Sequence, residues 1–118
     1  MSFKFEKLVI WQKSMDFAER IFNLTVNFPK DEIFSLTSQI RRASDSIALN
    51  ISEGSILQSN KEFKKFLSYS IRSLGETVTC LYKAKNRKYM VEKEFDEMYK
   101  ECYHLMNQII AFRNQLKD

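Results

Sequence analysis

The sequence predicts an all-α fold, an antiparallel up-down-up-down four-helix bundle, and three observations carry that expectation. Two glycines and one proline among 118 residues are too few for an all-β chain, whose reversals come at short intervals. Apolar residues return at three- and four-residue steps through most of the chain, the period of one helical face. Hydrophobic residues at 44% and charged residues at 29% are ordinary for a globular protein with a buried core. The length is that of one domain, residues 1–118.

The first helix is expected over residues 8–27. Trp11, Met15, Ala18 and Phe22 form one stripe, and Ile10, Phe17, Ile21, Leu24 and Phe28 lie beside it. That face is broader than one packing contact needs. Pro29 ends it, because proline disfavours a helical residue before it. Asp31 and Glu32 suit the positive start of a second helix, which Leu36, Ile40, Ala43, Ile47 and Ile51 carry to about Ser52, with Gly54 as its C-terminal cap. "SNKE" (59–62) has the form of a capping box and opens a third helix to about Lys88, carrying Phe63, Phe66, Leu67, Ile71, Leu74, Val78 and Leu81. In the fourth, Val91, Phe95, Met98, Cys102, Leu105, Ile109, Phe112 and Leu116 alternate steps of four and three, a heptad seam. Short connections between four such helices make sequential neighbours antiparallel.

The net charge of +4 is unevenly spread. Residues 59–90 hold eight basic and two acidic groups, a net +6, whereas residues 31–58 and 91–118 are each −2. A basic segment favours an acidic partner, although a solvated helix face looks the same. No window approaches the ~18 apolar residues of a membrane span, and "MSFKFEKLVIWQKS" does not read as a signal peptide. A cytoplasmic protein with no membrane partner is expected. Cys80 and Cys102 are too few for a disulfide scaffold or a zinc site and are expected to be reduced.

The search for chemistry is short. His104 is the lone histidine and forms a Glu-x-x-His unit with Glu101, but a di-iron bundle needs two such units and two further glutamates. On the heptad seam Glu101 flanks the core and His104 faces outward. No glycine-rich phosphate loop, nucleophile elbow or paired-cysteine signature is present. Neither an enzyme nor a cofactor is expected.

The most unusual stretch is "QIRRASDSIALNISEGS" (39–55). At 100° per residue, Gln39 and Asn50 border the core stripe. Arg42, Ser46, Leu49 and Glu53 form a second, mixed face. Arg41, Asp45 and Ser52 point away from the core, where Arg41 and Asp45 can make an i,i+4 pair. Arg42 and Glu53 are too far apart to pair within the helix, so their partners come from another helix, with Glu76 a candidate, or from another subunit. A register-fixing or assembly role for these polar groups outweighs a catalytic one.

These residues bring a family into view. The chain resembles the four-helix-bundle proteins encoded by intervening sequences in bacterial 23S ribosomal RNA genes. The likeness lies in "LVIWQKSMDFAERIF" (8–22), "FPKDEIFSLTSQIRRASDSIALNISEGS" (28–55) and "EFKKFLSYSIRSLGETVTCL" (62–81), with the middle block the most specific. Ser14, Ser52 and Ser70 stand where alanine is usual, and Ser70 is expected to cost a little stability. The resemblance implies a left-handed-twisted bundle assembled as a ring-like homopentamer, with no established enzymatic activity. A group related in fold, the accessory proteins of diversity-generating retroelements, binds nucleic acid and works with a reverse transcriptase, which makes that enzyme a partner by analogy only.

Two functions compete. The first is a non-enzymatic homo-oligomer that binds RNA or DNA through Lys61, Lys64, Lys65 and Arg72, neutralising phosphates with little sequence preference. Lys61, Lys65 and Arg72 fall within about 70° on one face of the third helix. The alternative is an oligomeric protein-interaction scaffold that binds no nucleic acid. In either case part of the first helix's broad face, or the Arg42–Leu49–Glu53 face, is the expected subunit contact.

Overall fold

A computed structural model describes residues 1–117. A 3₁₀ turn, Lys4–Lys7, leads into α1 (Val9–Thr25), and a second one, Lys30–Glu32, precedes α2 (Leu36–Ile56). Then come α3 (Asn60–Asn86) and α4 (Glu92–Gln115), with no strand among the described residues. Contacts between neighbouring helices run in opposite residue order, so neighbours are antiparallel. Ser46 meets Ser73 while Gly54 lies against Phe63 and Phe66. Phe63 meets Phe112 while Tyr82 meets Phe95. α1 closes the bundle against α4, within an envelope of 45 × 23 × 22 Å.

Local chemistry accounts for most boundaries. The hydroxyl of Ser59 accepts the Glu62 amide at 3.3 Å and starts α3, which makes one of the two bonds of the expected capping box. Glu94 accepts the Val91 amide at 3.0 Å at the start of α4. α3 ends where Lys88 adopts a left-handed φ of 63° and the Tyr89 amide donates to the Ala84 carbonyl at 2.9 Å. That bond satisfies a carbonyl the helix end would otherwise leave unpaired.

One expected boundary is wrong. Gly54 does not cap α2, which runs through it to Ile56 with no left-handed torsion at either glycine. Gly54 is a contact residue instead: a Cβ there would lie 2.7 Å from Phe66 Cβ and 2.9 Å from Phe63 Cδ1. The glycine lets α2 and α3 approach, and the short connection 57–59 follows at once.

The core is built from the predicted stripes. Phe17, Ile21, Ile40, Ile47, Ile51, Leu67, Leu81 and Ile109 are wholly enclosed. The α4 seam is buried from Phe95 to Ile109, while its first member, Val91, is exposed. In α1 the second stripe does the packing. Of the first, Ala18 is buried and Trp11 half-buried, but Met15 and Phe22 are exposed. Ser70 also departs from expectation. Its buried hydroxyl donates to the Ile47 carbonyl of α2 at 2.8 Å, so it is a satisfied cross-helix contact.

Candidate functional site

α3 presents its charge on the side turned away from the core. Phe63, Leu67, Ser70, Leu74, Thr77 and Leu81 face inward, which leaves Lys61, Lys65 and Arg72 exposed on the outer face with Lys83 further along. The Arg72 guanidinium lies 5.5 Å from the centre of the Tyr69 ring. Lys64 is half-buried, on the flank towards α4, and engaged within the chain. Three of the four predicted basic residues therefore form one solvent-facing row, and the fourth stands beside it.

The two adjacent arginines of α2 divide differently from the prediction. Arg41 does not point into solvent. Its Nε donates to the Thr25 hydroxyl at 2.8 Å and its guanidinium lies 4.2 Å from the centre of the Phe22 ring. It therefore stitches α2 to α1 and makes no ion pair with Asp45. Asp45 has its pKa raised by partial burial and by Glu19, which Arg41 only partly offsets. Arg42 is exposed, and among the described residues neither it nor Glu53 nor Glu76 has an ionic or hydrogen-bonded side-chain partner. The candidate Arg42–Glu76 pair is not made within the chain.

The border residues are half-buried. Asn50 donates to the Ser46 carbonyl at 2.8 Å and stays within its own helix, and Gln39 makes no side-chain hydrogen bond among the described residues. Leu49 is 56% exposed. With Phe5, Trp11, Met15, Asp45 and Ala48 it lines a groove of about 440 Å³ between α1 and α2. The broad α1 face and the mixed α2 face, foreseen as separate options, share this groove.

A second polar centre was not legible in the sequence. The Glu32 carboxylate accepts the Ser35 hydroxyl at 2.6 Å, the Tyr89 hydroxyl at 2.7 Å and the Arg87 guanidinium at 3.0 Å. The Ser35 and Tyr89 hydroxyls, helped by the Leu36 amide and Arg87, hold its pKa down to about 2. The same bond pushes the Tyr89 phenol up. Its partners are structural groups, so the cluster fastens the α3–α4 turn to the start of α2. Only the Ser35 spacing, three residues on, could have hinted at it.

Glu101, His104 and the two cysteines offer no catalytic set. Glu101 pairs with Arg20 across α1 and α4, and His104 is exposed beside it, lining a groove of about 640 Å³. Cys80 and Cys102 are free and buried. Burial, with Glu101 nearby, pushes the Cys102 thiol up to about 12, and burial with Glu76 also raises Cys80. Neither thiol has the depressed pKa of a nucleophile. No helix among the described residues is long and apolar enough to cross a membrane.

The family model described as 23S rRNA-intervening sequence protein matches residues 6–111. No curated protein matches the chain. Among solved structures, a protein with unknown function from the S23 ribosomal protein family of Bacteroides thetaiotaomicron superposes with a TM-score of 0.83 at 24% identity. The superposition covers 91% of this chain and 96% of the other. At that identity the likeness is one of fold.

Proposed function

The chain belongs to the 23S rRNA-intervening sequence protein family, and from that premise we propose a non-enzymatic, self-assembling protein that binds RNA or DNA through the outer face of α3. The observation that carries the proposal is a separation of surfaces. Lys61, Lys65 and Arg72 are exposed in one row on α3, while the exposed apolar side chains Met15, Phe22 and Leu49 lie on α1 and α2. Copies meeting through the α1–α2 edge would cover those apolar groups and give Arg42 and Glu53 their partners. The basic row would then repeat around a closed ring, the homopentamer the resemblance implies, and weak contacts would add through multivalency.

The non-enzymatic part rests on the lone histidine being exposed and on Glu101, its motif partner, being engaged by Arg20. The test reverses Lys61, Lys65 and Arg72 to glutamate together, then measures RNA and DNA retention across a salt series, with sedimentation to follow assembly. Affinity should fall, and the salt slope should lessen by about one for each lost phosphate contact. An oligomeric triple variant with unchanged affinity and slope would remove α3 from consideration. Arg42→Ala should weaken assembly, and sedimentation indistinguishable from wild type would count against that edge.

A second reading, an oligomeric scaffold that binds another protein and no nucleic acid, draws on the apolar groove around Trp11, Met15 and Leu49. Absence of any salt-dependent retention by the wild-type chain would favour it.

A further inference from the structure

Gly75 has no use within its own chain. It lies inside the 27-residue α3, where glycine is the poorest helix former after proline. It has no left-handed torsion to justify it, and a Cβ built there would meet nothing within 4 Å. Gly54, by contrast, is required by the Phe63 and Phe66 side chains. The missing side chain at Gly75 helps to open a groove of about 280 Å³ between α3 and α4, walled by Val78, Tyr99, Tyr103 and Met106 over Cys102. Tyr103 is 53% exposed and Tyr99 38%, so two aromatic rings stand at an apolar slot that admits a close approach to the helix backbone.

The α3 side of the slot favours an anion with flat apolar parts. Arg72 is one turn before Gly75 on α3 and exposed, and Lys65 and Lys83 lie on the same outer face. Lys100 is exposed on α4 between the two tyrosines. Glu76, Asp96 and Glu97 are the exposed acids near the walls, so the cations are gathered along the α3 side of the slot and not around it. The walls run from Leu74 to Val78 on α3 and from Tyr99 to Met106 on α4, about one and two turns. A partner helix needs a groove several turns long to seat successive anchors, whereas a single planar ring does not.

We infer that this groove takes one unstacked base of a single-stranded RNA or DNA, whose phosphates lie along Arg72 and the other exposed cations of α3. The inference rests on the nucleic-acid reading above and narrows its substrate class. Tyrosine rings reach a base face only where the base is splayed out, so duplex should be bound by the cations alone.

The experiment compares wild type, Gly75→Leu and Tyr103→Ala in the full chain. Fluorescence anisotropy is recorded with a labelled oligouridine of about 12 nucleotides and with a labelled RNA duplex. Gly75→Leu puts a side chain into the slot from a position where its Cβ meets nothing within 4 Å, and Tyr103→Ala removes a wall; melting curves verify that both fold. Each should weaken single-strand binding about tenfold, leaving the salt slope and duplex affinity unchanged. Wild-type binding that both variants reproduce on single strands would overturn the groove and leave the basic face standing, as would equal losses on duplex. A wild-type chain that retains neither probe would overturn both readings. Dissociation of the particle by Gly75→Leu would reassign the groove to a contact between copies.

Discussion

The α2–α3 and α1–α4 seams hold the same bundle together by opposite means. Between α2 and α3 the contacting residues are small. Gly54 lies under the phenylalanines of α3, Ser46 meets Ser73 at 2.5 Å, and the Ser70 hydroxyl bonds the Ile47 carbonyl. Backbones can then come close enough for a side chain to reach the partner's main chain. Between α1 and α4 the principal polar tie is the Arg20–Glu101 ion pair, with grooves of about 640 and 310 Å³ along it. Long charged side chains hold that seam apart. Close packing transmits small changes of volume, and a half-exposed ion pair does not.

The contrast is sharpest at Gly54. Gly54→Leu should destabilise the protein by about 3 kcal/mol, because Phe66 Cβ is anchored to its own backbone and cannot swing away from the added atoms. Urea unfolding would read this as a lower midpoint, and a midpoint equal to wild type would mean the seam yields where it should be rigid.

A second test concerns the Glu32 cluster at the end of the bundle. Its carboxyl ionises at about 2 against an ordinary 4.5, so the folded state binds fewer protons than the unfolded state between those values. Its contribution is present in full above pH 4.5 and is lost as pH falls towards 2. Wild type should therefore exceed Glu32→Gln in stability by a constant margin at neutral pH, a margin that narrows through that acid window. Parallel pH dependences of the two urea midpoints would detach Glu32 from the fold. The smallest effect is expected at the open seam. Arg20→Ala should cost less than ~1 kcal/mol, since both partners are partly exposed, and the loss should diminish in salt. A loss as large as that at Gly54, undiminished in salt, would erase the distinction between the seams.

What could be read in advance followed distance along the chain. The four helices, the Ser59 cap and the α4 stripe are set by neighbours three or four residues apart, and these were legible. The partner of Glu32, Tyr89, lies 57 residues away, and no local pattern joins them. Arg41 and Arg42 are adjacent, so a helical wheel separates them by angle but cannot tell which angle meets α1. Gly54 was misread because glycine serves both as a left-handed cap and as a close contact, and only the position of Phe66 decides. The basic row on α3 was legible as a row. Its neighbouring groove was not, because Tyr99 and Tyr103 belong to another helix, and Gly75 is informative only once the empty space around it is known.

The connection between α2 and α3 spans only residues 57–59, whereas α1 reaches α2 through residues 26–35. A short closure costs little chain entropy, and this one joins the two most extensively paired helices. The hairpin is therefore expected to behave as one cooperative unit in hydrogen exchange. Amides of α2 and α3 should share a single high opening energy. Those of α1, which adds Ile10, Phe17 and Ile21 to the core but borders open grooves along α4, should exchange from a partly opened form that leaves the hairpin intact. Motion in this bundle then belongs to its first helix, the one that carries the apolar surface proposed for assembly.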